Sequence, residues 1–185
     1  MAPRFVVVVV HSHGYGLLLR LAMHPSGSPH PPPHIADGPL VDPADIVDIQ
    51  QLMALYTHLL DNHEFGRLGE VFADDAEADY SSGGVTRRLT GIDDIVTFLS
   101  SANASSAHHI SNVFVYERDG ATCARTKFFV PYTRSQHDPH RWYGGDYEDV
   151  LIRTSSGWRI QRRTVSGRWQ LSADQPATPA HRRTF

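Results

Sequence analysis

From residue 42 onward the apolar positions follow two periods, and the change from one to the other divides the chain. In VDPADIVDIQQLMALYTHLLD, the residues Ile49, Leu52, Met53, Tyr56 and Leu60 recur at three- to four-residue steps, which predicts a helix with one apolar stripe. Asp42 is placed to cap it, Pro43 suits the first helical position, and Asp45 sits where a capping-box acid would. EFGRLGEVF predicts a shorter second helix with Phe65, Leu68 and Phe72 on one side, weakened by two glycines. AEADYSSGGVTRRLTG reads as two short strands around a Ser-Gly-Gly turn, and IDDIVTFLS as a third short helix.

After residue 107 the period shortens to two. HHISNVFVYE, ATCARTKFFVPYT, WYGGDYEDVLIR and WRIQRRTVSGRW predict four strands. The second of these alternates most clearly. Ala124, Thr126, Phe128, Val130 and Tyr132 share one face, while Arg125 and Lys127 share the other. The order α-α-β-β-α-β-β-β-β implies an α+β fold, with helices packed on one face of a bent, mostly antiparallel sheet.

Composition changes the picture mainly at the ends. Residues 1–41 carry five of the 12 histidines and most of the prolines, and predict a disordered or mis-assigned extension. The apolar run Phe5–Val10 is too short to span a membrane and lacks a cleavage site after it. Residues 42–171 form the expected domain, and residues 172–185 a flexible tail. A net charge of −3 gives no reason to expect nucleic acid or a membrane as partner. The single cysteine, Cys123, rules out an internal disulfide and suits a reducing, cytoplasmic setting.

Several residues invite chemistry. Tyr56 lies on the apolar stripe and so points inward, as a core residue or as a site residue. Asp61 ends the first helix among Leu59, Leu60 and Phe65, where it would be partly desolvated, as suits a base, or would cap the next helix. The pair His108–His109 opens a strand, so only one ring can face a given pocket. Alternation groups His108 with Ile110, Asn112, Phe114 and Tyr116, and His109 with Ser111, Val113, Val115 and Glu117; pattern alone does not choose. His137 and His140 flank Asp138 and Pro139 in a polar loop, a poor metal site without a further ligand. Arg162 and Arg163 sit side by side on the last strand, so one must face away from the pocket, and a surface ion pair is the default reading.

YTHLLDNHEFGRLGEVFADDAEADY, the Gly-Ile-Asp-Asp-Ile helix start at 91–95, HHISN and GGDYEDVLIRTSSGWRIQRR occur in an order that resembles the SnoaL-like branch of the nuclear transport factor 2-like superfamily. This branch includes scytalone dehydratase, bile-acid dehydratases, polyketide cyclases and ketosteroid isomerase. The resemblance implies a conical, largely apolar pocket enclosed by three N-terminal helices and a strongly curved sheet. It implies catalytic roles for Tyr56, Asp61 and His108, the last selected because the family histidine precedes an Asn by four, here Asn112. Tyr80 matches a site tyrosine of scytalone dehydratase, whereas Tyr132 stands where that enzyme has a second histidine and Leu60 replaces a tyrosine. The full set of that enzyme is absent, which argues against the same substrate.

One carboxylate, one imidazole and several phenols around an apolar cavity suit proton abstraction next to a carbonyl, then loss of water or a double-bond shift. Asp61 or the Asp61–His108 pair would be the base, and Tyr56 or Tyr132 would donate to the enolate oxygen, with Tyr80, Asn112 and Phe128 lining the substrate. The expectation is a cofactor-independent and metal-independent dehydratase or isomerase acting on a small apolar ring ketone, as a homodimer or higher homo-oligomer. The alternatives are a non-catalytic ligand-binding or structural subunit, a polyketide cyclase, or an epoxide hydrolase.

Overall fold

The computed structural model describes residues 5–12, 15–23, 41–82, 85–101, 105–133 and 141–172, with side chains described from residue 41 onward except at positions 82, 105, 132, 133 and 172. Its elements run β1 (Phe5–Ser12), β2 (Tyr15–Met23), α1 (Pro43–Asp61), a 3₁₀ helix (Phe65–Glu70), β3 (Phe72–Ser82) and β4 (Val85–Thr90). They continue with α2 (Ile92–Ser100), β5 (Ser105–Ser106), β6 (His109–Arg118), β7 (Ala121–Thr133), β8 (Arg141–Thr154) and β9 (Gly157–Ser172).

The fold is an α+β cone in which helices close one face of a curved sheet. Six strands make its body in the order β4-β3-β9-β8-β7-β6, antiparallel except where β3 runs parallel to β9. The short β5 pairs with the end of β7. β1 and β2, within the stretch expected to be a loose extension, pair with each other, and Ala22 and Met23 pair with Gln170 and Trp169 of β9. The β-branched run Val6–Val10 favours strand pairing of this kind.

Helix α1 forms where its stripe predicted. Asp42 caps it by accepting the Ala44 N–H at 2.8 Å, and Ile49, Leu52, Met53, Tyr56, Leu59 and Leu60 are buried. The second helix is a single 3₁₀ segment, because Gly66 and Gly69 withhold the helix propensity that a longer α-helix needs. On β7 the expected inward row is buried at Ala124, Thr126, Phe128 and Val130. On the opposite face, Gly144 lies under the Trp169 ring; a Cβ there would come within 2.1 Å of the indole. Among the described residues, no helix is long and apolar enough to cross a membrane.

Strand register places two inner rows side by side. One runs Ala78–Arg163–Asp149–Ala124 and the next Tyr80–Val165–Tyr147–Thr126 across β3, β9, β8 and β7. The alanines flank the charged pair with small side chains, which leaves room for Met53 and Tyr56 of α1 above it.

Candidate active site

Asp61 is the last residue of α1, and the chain returns to it through β5 and the residues before β6. Ser105 and Ser106 pair with Thr133 and Tyr132 of β7, and the Ala107 N–H donates to the Pro131 carbonyl at 3.3 Å. This anchorage delivers His108 to the end of α1. His108 Nδ1 lies 2.6 Å from Asp61 Oδ1, and the His108 backbone N–H donates to Asp61 Oδ2 at 2.8 Å. The Ser106 hydroxyl adds a third donor to the carboxylate at 3.3 Å. An ionised carboxylate only accepts, so the ring contact is Nδ1–H to oxygen and leaves the Nε2 lone pair on the far side of the imidazole. The side chains of His108 and Asp61 keep 15% and 26% of their surface exposed.

His108 and Asp61 meet, but not by the alternation expected. His108 precedes the strand, which starts at His109, and a bulge between Ser111 and Phe114 breaks the period. Asn112 occupies that bulge with φ 52° and is exposed, so the row that was to link His108, Asn112 and Phe114 along one pocket wall does not exist. The substrate-lining role expected for Asn112 has no support in this placement. His109 is exposed and stands 6.1 Å, centroid to centroid, from Phe129, whose side of β7 is opposite the buried row.

The phenols gather deeper in the fold. Tyr56 is buried, and its hydroxyl lies 3.3 Å from that of Tyr80, which packs against Phe98 with ring centroids 4.8 Å apart. Phe128 stacks on Tyr147 at 4.5 Å, and Tyr147 meets Tyr56 edge-on at 5.9 Å. Burial and the neighbouring Tyr56 push the Tyr80 and Tyr147 hydroxyls well above the ordinary tyrosine range, while the Arg163 cation pulls the other way. Asp61 also acts on Tyr147, raising it, which ties the phenol cluster electrostatically to the carboxylate. The side chain of Tyr132 lies outside the described residues, as do His137 and His140. Among the described residues, no three His, Cys, Asp or Glu side chains are grouped so as to hold a metal ion.

Two residues of the interior escaped the sequence reading. Tyr147 sits in a strand of mixed pattern, and only the register of β8 on β7, which places it opposite Thr126, reveals its inward face. Arg163 is no surface residue: its side chain is fully buried and forks onto Asp149, Nε to Oδ1 at 2.7 Å and Nη2 to Oδ2 at 2.9 Å. Its neighbour Arg162 keeps the expected surface role, 3.6 Å from Glu77. The signal that separates them is parity with Val165 and Tyr147, legible once the strand pairing is known.

The SnoaL-like domain profile matches residues 42–164. The chain belongs to that family. An uncharacterized protein of Mycobacterium tuberculosis strain H37Rv, Rv2910c, is 30% identical over 122 residues, covering 65% of this chain and 83% of that one. The structure of a candidate scytalone dehydratase from Novosphingobium aromaticivorans superposes with a TM-score of 0.61 at 20% identity, over 69% of this chain and 86% of the other. A hexachlorocyclohexane dehydrochlorinase, LinA type 2, superposes with a TM-score of 0.60 at 14% identity, over 74% and 95% of the two chains. At these identities the two structures share the fold with this SnoaL-like protein.

Proposed function

We propose that this SnoaL-like protein is a cofactor-independent acid/base enzyme that takes a proton from carbon next to a carbonyl, leading to loss of water or a double-bond shift in a small apolar ring ketone. The observation that carries the reading is the Asp61–His108 contact at 2.6 Å, with two further donors fixing the same carboxylate. A carboxylate engaged by three donors is a poor proton acceptor for substrate but a good orienter of imidazole. The base is therefore His108 through Nε2, with Asp61 holding the Nδ1–H tautomer and stabilising the imidazolium that forms. This narrows the expectation that Asp61 or the Asp61–His108 pair is the base. The Tyr56–Tyr80 hydroxyl pair supplies the donor for the developing enolate oxygen. One of its two protons closes the pair, and the other is available to a ligand. The His108 imidazolium then returns its proton to the leaving hydroxyl or to the shifted carbon.

Proton abstraction is measurable without knowing the natural product. A panel of cyclic ketones in deuterated water, followed by proton NMR, reads exchange at the carbon next to the carbonyl. The wild type is expected to exchange at least one member of the panel. His108→Ala should slow that exchange about 10²- to 10⁴-fold, and Asp61→Asn should also lose turnover while keeping ligand affinity. Full exchange in both variants would overturn the proposal and leave a non-catalytic role for the protein.

A further inference from the structure

A buried ion pair between adjacent strands has a simple structural explanation: it holds β8 to β9. That explanation accounts for Asp149, but not for the placement of its partner. Arg163 gives Asp149 only Nε and Nη2, Nη2 also meets the Met53 sulfur at 3.2 Å, and Nη1 is buried with no hydrogen-bond partner. The guanidinium carbon lies 4.2 Å from the centroid of Tyr56 and 4.5 Å from that of Tyr147, with Phe72 at 5.4 Å. An apolar pair of similar volume would hold the strands as well. What it would not supply is a fixed positive charge beneath two phenol rings.

We propose that Arg163 is a positioning residue that charges the phenol cluster: held by Asp149 and clamped between Tyr56 and Tyr147, its cation strengthens the Tyr56–Tyr80 hydroxyl pair as a donor to an oxyanion. A cation over the face of a phenol draws electron density from the ring and sharpens its O–H as a donor. Among side chains buried as these are, this attraction is screened little. Arg163 itself stays out of ligand contact, being fully buried, and acts through the rings. The charge balance is local: Asp149 neutralises the guanidinium, so the site gains a directed dipole rather than a net charge. Burial alone would hold Tyr80 and Tyr147 high, and Arg163 is the group that opposes it at both.

The proposal rests on the acid/base reading for its purpose, but its test needs no substrate. Difluorotyrosine placed at position 80 ionises in a pH range the fold tolerates, and its fluorine NMR signal reports the midpoint. Arg163→Met should raise that midpoint by about one pH unit or more, and Arg163→Lys should return most of the shift. Asp149→Asn, which leaves the cation less neutralised, should move the midpoint down. If Arg163→Met fails to fold, Asp149→Asn still decides, by a midpoint below that of the wild type while Arg163→Lys stays near it. Midpoints unchanged in the folded variants would overturn the proposal and leave a strand clamp. A midpoint that moves as expected, in a protein that exchanges no ketone proton, would refute the acid/base reading while keeping the electrostatic one.

Discussion

Two acid–base pairs sit on the inner side of this fold, and they are built in opposite ways. Asp149 and Arg163 face each other in the regular register of β8 and β9, both without exposed side-chain surface. Asp61 and His108 meet where elements end, one closing α1 and the other preceding β6, and both remain partly exposed. The first pair is joined by the ladder itself and carries a permanent charge, since a guanidinium does not release its proton in proteins. The second is joined by side-chain and loop hydrogen bonds, pairs a carboxylate with an imidazole, and keeps part of its surface exposed. A permanent charge belongs where geometry is fixed by the sheet, and a proton carrier where a ligand can arrive.

Breaking each pair separates their tasks. The largest effect falls on chemistry: His108→Ala should remove up to ~10⁴-fold of ketone exchange, with a melting temperature close to the wild type. Next comes Arg163→Met, which strands the Asp149 carboxylate in the interior. It should cost about 3–5 kcal/mol of stability, measured by urea unfolding, because burial already pushes the Asp149 carboxyl up and Arg163 is what opposes it. That acid has its folded value raised, so its ionised form disfavours folding once the pH exceeds the folded value. In Arg163→Met the loss should therefore shrink on lowering the pH through that value, as Asp149 takes up a proton. The smallest effects sharpen the comparison by neighbour. Arg162→Ala should stay within about 0.5 kcal/mol of the wild type, since its contact to Glu77 at 3.6 Å is exposed. His109→Ala should leave exchange intact.

The sequence carried the elements well where periodicity was strong. The stripe from Ile49 to Leu60 marked α1, IDDIVTFLS coincides with α2, and the buried row of β7 follows its alternation. It carried the site through residue types and spacing resembling a family, so Asp61 and His108 were both in view. It could not carry the path between them. Alternation groups Asn112 with His108 and the family spacing links the two, but a single left-handed residue at a bulge undoes counting in steps of two. Which of Arg162 and Arg163 lies inside is hidden for a related reason. Two adjacent arginines on a strand must face opposite ways, and only the partner strand says which is inside. In the N-terminal stretch, composition suggested no structure, whereas the valine-rich hairpin β1–β2 answers to local β propensity.

The central claim is that His108 is held by Asp61 as a base with its free nitrogen toward the ligand. Nitrogen-15 NMR of selectively labelled histidine, at a pH where the ring is neutral, reads the tautomer directly. The account predicts that His108 carries its proton on Nδ1 and presents a bare Nε2, and that Asp61→Asn disturbs this preference. A neutral ring protonated on Nε2 in the wild type would contradict it.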